Sequence, residues 1–309
     1  MLRPRPLPGA LDGRAFTFSE AVENGVPRSR LRKDDLAHPF RGVYAAAEGR
    51  DTLVARCVEA LGLLGAPHVF SHVTAARLWG IPVPWPWTPD EEIHVLAAGE
   101  RGRIRRAGIR SWETGRDDAI PHRIGELLVP PPALVWAQLG GMTSPRLTRE
   151  WIVAAGDFLV SGVRLEGGRR TEPLAPLESL SGVVGARSGM RGARVLRETL
   201  PLIRTDVDSP QETRLRLALV DAGLPEPLIH PAIMTAAGVL HPDLGYPARR
   251  VLLEYQGEEH RVDRQRWLHD LTRVQLFQDA GYRVILIGAA DLLPRNRSAL
   301  VARIRRSLR

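Results

Sequence analysis

Two acidic side chains, Asp243 and Glu254, have the type and spacing to form a reactive pair. The segments Leu240–Tyr246 and Val251–Gln256 predict two strands, and Pro247–Arg250 between them predicts a four-residue hairpin loop. If the last residue of the first strand pairs with the first residue of the second, the two carboxylates face each other with Cβ atoms roughly 5 Å apart.

Facing carboxylates repel each other unless a proton or a cation lies between them. Oxygen ligands of this kind prefer Mg²⁺ or Mn²⁺, so Asp243 and Glu254 are candidate metal ligands. The period of two along a strand places Gln256 on the same face as Glu254. The alternative is that the two acids form ordinary salt bridges with Arg249 or Arg250.

The helix that would position a third acid begins at Ser209-Pro-Gln-Glu212. Serine at the N-cap, proline at the first position and glutamate at the third predict a capping box and a helix to about Ala222. Glu212 also shares a face with Leu215 and Leu219, so its carboxylate points along the stripe that packs on the sheet. Glu212 is therefore both a cap partner and a candidate site residue.

The remaining elements of the C-terminal region complete an α/β domain. A strand near Leu228–Met234 precedes the hairpin, and a helix at Val262–Ala280 and a strand at Tyr282–Ile287 follow it. Because the last strand directly follows its helix, we expect a right-handed crossover and parallel pairing with the Glu254 strand. The predicted order is α-β-β-β-α-β, followed by a basic helix to Arg309.

This order, with Glu212, Asp243 and Glu254-x-Gln256, resembles the PD-(D/E)xK nuclease superfamily and its restriction-endonuclease-like core. The segments SPQETRLRLALVDAGL, HPDLGYP and VLLEYQGEEHR are similar to the DUF559 group, relatives of the very-short-patch repair endonuclease Vsr. The resemblance covers about residues 205–290. It implies metal-dependent hydrolysis of phosphodiester bonds in DNA.

The resemblance also implies a role for each site residue. Asp243 and Glu254 would bind the metal, Glu212 would orient water or a second ion, and His260 would carry a proton near the leaving group. His260 could equally be a surface histidine. Gln256 replaces the lysine of the superfamily, so it cannot act as a base, although it can orient water or bind metal through its carbonyl group.

Basic residues are candidates for contacts with DNA phosphates. Lys and Arg total 43 against 35 Asp and Glu, a net charge of +8 that favours a polyanionic partner. The wealth of Arg, Ala, Gly and Pro also fits a GC-rich genome, which could account for much of this charge. Near the predicted site, the candidate phosphate contacts are Arg261, Arg264 and Arg273.

The N-terminal region predicts a second DNA-binding element. Phe18–Gly25 and Val26–Leu36 predict two helices around a tight turn, and Phe40–Tyr44 predicts a strand pair or wing. The second helix would present its polar side chains to a major groove, unless the two helices are simply a solvated pair. The candidate contacts are Arg28, Ser29, Arg30 and Arg32.

The stretch FSEAVENGVPRSRLRKDDLAHPFRGVYAAAEG resembles the N-terminal winged helix-turn-helix of AbiEi-type proteins, the antitoxins of type IV toxin–antitoxin systems. A Gly-Val-Tyr motif at the end of the wing is matched by Gly42, Val43 and Tyr44, and the resemblance covers roughly residues 10–50. It implies the alternative function, a non-catalytic DNA-binding regulator with a degenerate nuclease fold.

The middle region predicts a small α+β domain. A helix at Ser71–Gly80 carries His72, interpreted as a packing residue, and strands at Glu92–Ala97 and Gly108–Trp112 form a hairpin. The hairpin tip is either a solvated loop or a phosphate-binding element. Its candidate contacts are Arg103, Arg105 and Arg106.

Four regions follow from these assignments: a mainly α winged helix-turn-helix domain at 1–50, an α+β middle domain at 51–161, a linker with short helices at 162–208 and the nuclease-like domain at 209–309. A single cysteine, Cys57, excludes an internal disulfide and a cysteine-based metal site. Without a long apolar run or a signal core we expect a cytoplasmic protein with no membrane partner. The predicted function is a metal-dependent DNA endonuclease in repair or in defence against foreign DNA.

Overall fold

The computed structural model describes residues 4–47, 52–64, 68–98, 103–114, 121–142, 144–165, 169–257 and 264–309, without the side chains of residues 98, 114 and 264–270. The chain forms two compact units. Unit 1 comprises Met1–Leu147 and Glu178–Leu196, and unit 2 comprises Thr148–Leu177 and Arg197–Arg309. The predicted boundaries at 161 and 208 both fall inside unit 2.

Unit 1 begins with a small antiparallel sheet. Its elements are β1 (Phe16–Thr17), α1 (Phe18–Glu23), β2 (Leu36–Ala37) and β3 (Val43–Ala46). The strand order is β1-β3-β2. A strand is present at the end of the segment predicted as a strand pair or wing, but it begins at Val43, and residues 39–42 form a bend and a turn. Helix α1 starts at a reciprocal capping box, in which the Thr17 hydroxyl accepts from the Glu20 amide and the Glu20 carboxylate accepts from the Thr17 amide.

The predicted second helix at Val26–Leu36 is wrong. Only Arg30–Arg32 forms a helical turn, and it is a 3₁₀ turn. Val26, Leu31 and Leu36 are all buried in one cluster. Their spacing of five does not fit one face of an α-helix, so burying all three requires an irregular chain path.

The rest of unit 1 is built on a mixed sheet. Its elements are α2 (Leu53–Leu64), β4 (Val69–Phe70), α3 (His72–Leu78), β5 (Ile93–Ala98), β6 (Arg105–Arg106), β7 (Ile109–Thr114), β8 (His122–Ile124), β9 (Leu127–Val129) and α4 (Pro132–Gly140). The sheet order is β4-β5-β7-β6. The predicted β5–β7 hairpin is wrong, because these strands pair in parallel, and β6 takes the antiparallel place beside β7.

A buried aromatic cluster joins α3 to this sheet. The His72 ring stacks on Trp112 with centroids 3.9 Å apart, and the Trp112 indole donates to Nδ1 of His94 at 3.3 Å. Both histidines are buried, which confirms the packing interpretation of His72. Burial lowers the pKa of His72 to about 2 and that of His94 to about 4, with smaller contributions from nearby positive charges.

These pKa shifts predict acid-sensitive stability for unit 1. An unfolded histidine takes up a proton near pH 6.5. The folded state therefore binds fewer protons, and the free energy of unfolding falls as pH drops from 6.5 to 4, by about 1.4 kcal/mol per pH unit for each histidine. Urea unfolding across this range should show a shallower slope for His94→Gln. The exposed control His122→Gln should keep the wild-type slope, and an unchanged slope in His94→Gln would contradict the assignment.

Helices α5 (Arg149–Ser161), α6 (Leu177–Ala186) and α7 (Ala193–Thr199) precede the C-terminal core. Helix α5 belongs to unit 2, although the predicted middle domain extends to residue 161. The core consists of α8 (Pro210–Asp221), β10 (Leu228–Ile229), β11 (Ile233–Thr235), β12 (Gly238–Leu240), β13 (Leu244–Tyr246), β14 (Val251–Gln256), α9 (Arg264–Asp279), β15 (Arg283–Gly288) and α10 (Arg297–Ser307).

The sheet of unit 2 has the order β10-β13-β14-β15. Tyr246 pairs with Val251 in the antiparallel β13–β14 hairpin, as predicted, and β15 pairs in parallel with β14. The predicted strand Leu240–Tyr246 is interrupted at residues 241–243. Its first residue belongs to β12, which pairs with β11 in a separate two-stranded ribbon.

Helices cover both faces of this sheet. Alternate residues of β14, including Leu253, pack with α8 and α10. On the other face, Leu252 packs with Ile233 and with Phe277 of α9. Unit 2 is thus an α/β layer structure with α8 and α10 on one face of the sheet and α9 on the other. None of the helices in the described ranges has the length and apolar character that crossing a membrane requires.

Candidate metal centre

Asp243 lies just before β13, where the hairpin register places it opposite Glu254. Its Oδ2 accepts a hydrogen bond from the backbone amide of Tyr255 at 2.7 Å, which fixes the orientation of the carboxylate. Burial and, to a smaller extent, the neighbouring Glu212 charge raise the pKa of Asp243 to about 6 against the opposing effects of the Tyr255 amide, His230 and Arg273. A carboxylate in this environment favours a nearby cation.

Glu212 reaches the same place from the first turn of α8. Its side chain is buried, and its Oε2 accepts from the backbone amide of Asp208 at 3.1 Å. The Ser209 hydroxyl accepts from the Glu212 amide, so the predicted serine cap is confirmed. The predicted return bond to the Ser209 amide is wrong, because the carboxylate binds the amide one residue earlier. The same oxygen, Oε2, lies 3.2 Å from Nε2 of His230.

His230 completes the cluster, and it was not predicted. One ligand atom each from Glu212, His230 and Asp243 lie within 4.8 Å of one another. Nε2 of His230 is 3.2 Å from Glu212 Oε2 and 3.4 Å from Asp208 Oδ2. Strand register brings His230 to this place. Strand β10 pairs with β13 through Ile229 and Leu244, so the next pair outward is His230 and Asp243.

Glu254 is buried and is neutralised by Arg273 of α9. Nε and Nη2 of Arg273 lie 3.3 and 3.2 Å from Glu254 Oε1, and Nη2 also donates to the carbonyl oxygen of His241. The guanidinium lies 5.2 Å from the centre of the Phe277 ring. Arg273 was predicted as a phosphate contact on the flank; the structure instead pairs it with Glu254. The predicted ligand pair is thus divided, with Asp243 beside Glu212 and His230, and Glu254 beside an arginine.

The other residues predicted for this site are only partly described. Gln256 is half-buried at the end of β14, opposite Gly288 of β15. His260 and Arg261 lie outside the described residues. Arg264 is the first residue of α9, and its side chain lies outside the described part.

Most of the predicted DNA contacts of unit 1 are exposed. Arg28 lies 5.3 Å over the Phe18 ring with an exposed side chain, and Ser29 and Arg32 are also exposed. The prediction that Arg30 contacts DNA is wrong. Its guanidinium is buried and forms a two-pronged ion pair with Asp35, so it is unavailable to DNA.

The basic segment of the mixed sheet lies along strand β6. Arg103 pairs with Glu113 at 3.3 Å, and Arg106 donates to the carbonyl oxygen of Arg41 at 3.3 Å. Arg105 is exposed. These three residues flank a sheet edge, so the predicted hairpin tip is corrected to an edge strand.

Comparisons with known proteins give relatives but no function. No family model matches the sequence, and no solved structure matches it. Two proteins from two strains of Mycobacterium tuberculosis, each described as uncharacterized, are 27% identical over 280 residues, which span 90% of this chain and 94% of theirs. The similarity therefore extends through both units.

The donor atoms of the cluster fit a divalent cation. Two carboxylates and one imidazole are common ligands of first-row transition metals, and carboxylates also bind Mg²⁺. Two of the donors have backbone partners, the Asp208 amide for Glu212 and the Tyr255 amide for Asp243. His230 is held through its main-chain amide, which donates to the carbonyl oxygen of Asp243. Such outer partners hold metal ligands in position.

Proposed function

We propose that unit 2 hydrolyses phosphodiester bonds in DNA with a divalent cation, Mg²⁺ or Mn²⁺, held by Glu212, His230 and Asp243. The observation that carries this proposal is the convergence of three ligand atoms within 4.8 Å at one end of the sheet. The resemblance of the surrounding segments to the DUF559 and Vsr-like nucleases supports it, as does the net positive charge of the chain.

When held by Glu212, His230 and Asp243, a divalent cation would lower the pKa of a water molecule and would offset the negative charge that builds up on the phosphate. The residues of the chain perform the remaining tasks. Backbone amides orient Asp243 and Glu212, and Arg273 places a positive charge next to Glu254, where Gln256 offers none. Arg273 therefore supplies, from another element, the charge that the superfamily takes from its lysine.

Cleavage assays on supercoiled plasmid, linear duplex and mismatched duplex test the proposal. The full-length protein should nick or cut at least one substrate with Mg²⁺ or Mn²⁺, and EDTA should abolish the reaction. The Asp243→Asn protein serves as the inactive comparison. Absence of cleavage with every substrate and both cations would reject the endonuclease function.

Replacement of Arg273 tests its assigned role. We expect Arg273→Ala to lower kcat for cleavage by roughly 10²–10³-fold, the loss typical of removing one group that stabilises transition-state charge. Arg273→Lys should restore part of the rate, because it returns the charge without the two-pronged geometry. Cation affinity should not fall in Arg273→Ala, since a neighbouring positive charge is removed.

The exposed Arg283 of β15 offers a matched control for this series. Arg283→Ala should cleave at the wild-type rate. If Arg273→Ala also cleaves at that rate, the guanidinium has only a structural role beside Glu254.

A non-catalytic DNA-binding regulator is the second candidate function. It is favoured by Gln256 and by the Arg273–Glu254 ion pair, which leaves Glu254 already neutralised. In this case the protein binds DNA tightly and with strong salt dependence but does not cut it. Replacing the exposed Arg28 and Arg32 by alanine should then weaken binding, whereas Asp243→Asn should not.

A further inference from the structure

The candidate metal centre contains an imidazole nitrogen in addition to carboxylate oxygens. Mg²⁺ favours oxygen ligands and retains bound water, whereas imidazole is a ligand suited to transition metals. We propose that His230 makes the centre selective for Mn²⁺ over Mg²⁺. This inference rests on the proposed function only in placing a cation between Glu212, His230 and Asp243.

The direction of the imidazole supports a ligand role. Nε2 of His230 faces the carboxylate of Glu212 at 3.2 Å, and only 8% of the side chain is exposed. Asp208, the other carboxylate near Nε2, is engaged by Arg164 and Arg170 at 2.9 and 2.5 Å. Asp208 is thus already neutralised by two arginines, whereas Glu212 is the acid near Nε2 that belongs to the ligand cluster.

The backbone holds His230 in an unusual conformation. Its φ angle is +45°, in the left-handed region that residues with a Cβ atom rarely occupy. Its amide donates to the carbonyl oxygen of Asp243 at 3.1 Å, and its own carbonyl oxygen is 2.9 Å from Nδ1 of His241. These bonds fix the residue at the point where β10 ends, which directs the ring toward Glu212.

Titration of the metal-free, full-length protein with MnCl₂ and with MgCl₂ by calorimetry, without DNA, tests the selectivity. We expect Mn²⁺ to bind at least roughly tenfold more tightly than Mg²⁺. Loss of a residue that only supports a metal ligand lowers metal affinity by roughly 10–100-fold. His230→Asn removes a ligand itself, so it should weaken Mn²⁺ binding by at least that factor and Mg²⁺ binding much less. Asparagine tolerates a positive φ angle, so the variant should keep the wild-type melting temperature without metal.

A spectroscopic signature separates ligation from a structural role. Pulsed electron paramagnetic resonance of the Mn²⁺-loaded protein should show coupling to an imidazole nitrogen, and His230→Asn should lose it. His122→Asn, at an exposed position of unit 1, is the matched control and should keep both the coupling and the affinity.

The outcomes distinguish this inference from the proposed function. Equal affinity for Mn²⁺ and Mg²⁺, equal losses for both ions in His230→Asn, or retained nitrogen coupling in that variant would each overturn the selectivity. Selective Mn²⁺ binding without DNA cleavage would leave the inference standing and reject the endonuclease. Metal-dependent DNA cleavage with equal affinity for Mn²⁺ and Mg²⁺ would support the endonuclease and reject the selectivity.

Discussion

Asp243→Asn is expected to lower metal-dependent DNA cleavage by about 10³-fold, because loss of a metal ligand removes several kcal/mol of charge stabilisation and each 1.4 kcal/mol is a factor of about ten in rate. Asp243 shares the cluster with Glu212 and His230, and the Tyr255 amide fixes the orientation of its carboxylate. DNA binding should persist, because the exposed arginines that we propose as phosphate contacts are unaffected. Single-turnover cleavage and a salt-dependent binding assay measure the two properties separately.

The same substitution should stabilise the metal-free protein. Burial and the charge of Glu212 raise the pKa of Asp243 to about 6, so the ionised carboxylate costs folding free energy above that pH. Asparagine removes this charge and can still accept from the Tyr255 amide. At pH 8 we expect a gain of roughly 1–3 kcal/mol, since one pKa unit corresponds to about 1.4 kcal/mol. Below about pH 4, where the carboxylate is protonated in both states, the gain should vanish.

Asp279→Asn provides the matched control, because Asp279 is exposed at the end of α9 and binds the side chain of Gln275. It should retain full cleavage and wild-type stability. An Asp243→Asn protein that cleaves as fast as this control would remove Asp243 from the site. A protein that loses both activity and stability would indicate that Asp243 is a structural residue.

The paired acids could be predicted from sequence because a hairpin has a restrictive geometry. Val251 and Leu253 face the core formed with α8 and α10, and a slip of one residue would turn Glu254 into that core instead. The short loop then leaves one pairing, Tyr246 with Val251, and the position of Asp243 opposite Glu254 follows. Parallel pairing of β15 with β14 could also be predicted, because a strand that directly follows a helix returns to the sheet through a right-handed crossover.

His230 and the place of Arg273 depend on packing between distant segments. His230 meets Asp243 only because the short strand β10 joins the same sheet. Arg273 meets Glu254 because α9 packs on the sheet face that carries Leu252. Neither contact leaves a periodic pattern in the sequence, since a two-residue strand is too short to show alternation.

The errors in unit 1 have a related cause. The segment Val26–Leu36 carries helix signals, but burial of three side chains at a spacing of five overrides local propensity. The segment between β5 and β7 is rich in Gly and Arg, which is typical of a hairpin loop, yet it contains the strand β6. Because β6 lies between them in the chain and pairs antiparallel with β7, strands β5 and β7 can pair in parallel.

Asp157→Ala is expected to destabilise unit 2 by about 3–5 kcal/mol, the cost of leaving a buried charge without its partner. The Asp157 carboxylate and the Arg216 guanidinium are 0% and 1% exposed and lie 2.9 Å apart. The carboxylate also accepts from the Thr213 hydroxyl and from the Arg204 amide, both at 2.7 Å. This network ties α5 to α8, the helix that presents Glu212, so cation affinity should fall along with stability.

Burial raises the pKa of Asp157 to about 6 against the opposing effect of Arg216, so unfolding in urea should be measured at pH 8, where the carboxylate is ionised. Asp221→Ala is the matched control, because Asp221 forms an exposed pair with Arg149 that contributes at most about 1 kcal/mol. Adding Arg216→Met to Asp157→Ala should recover part of the loss, because the second substitution removes a buried charge that keeps only the half-buried Glu226 as an acidic partner. If the double variant is less stable than Asp157→Ala alone, the cost arises instead from the bonds of Arg216 to the Leu202 carbonyl oxygen and Glu226.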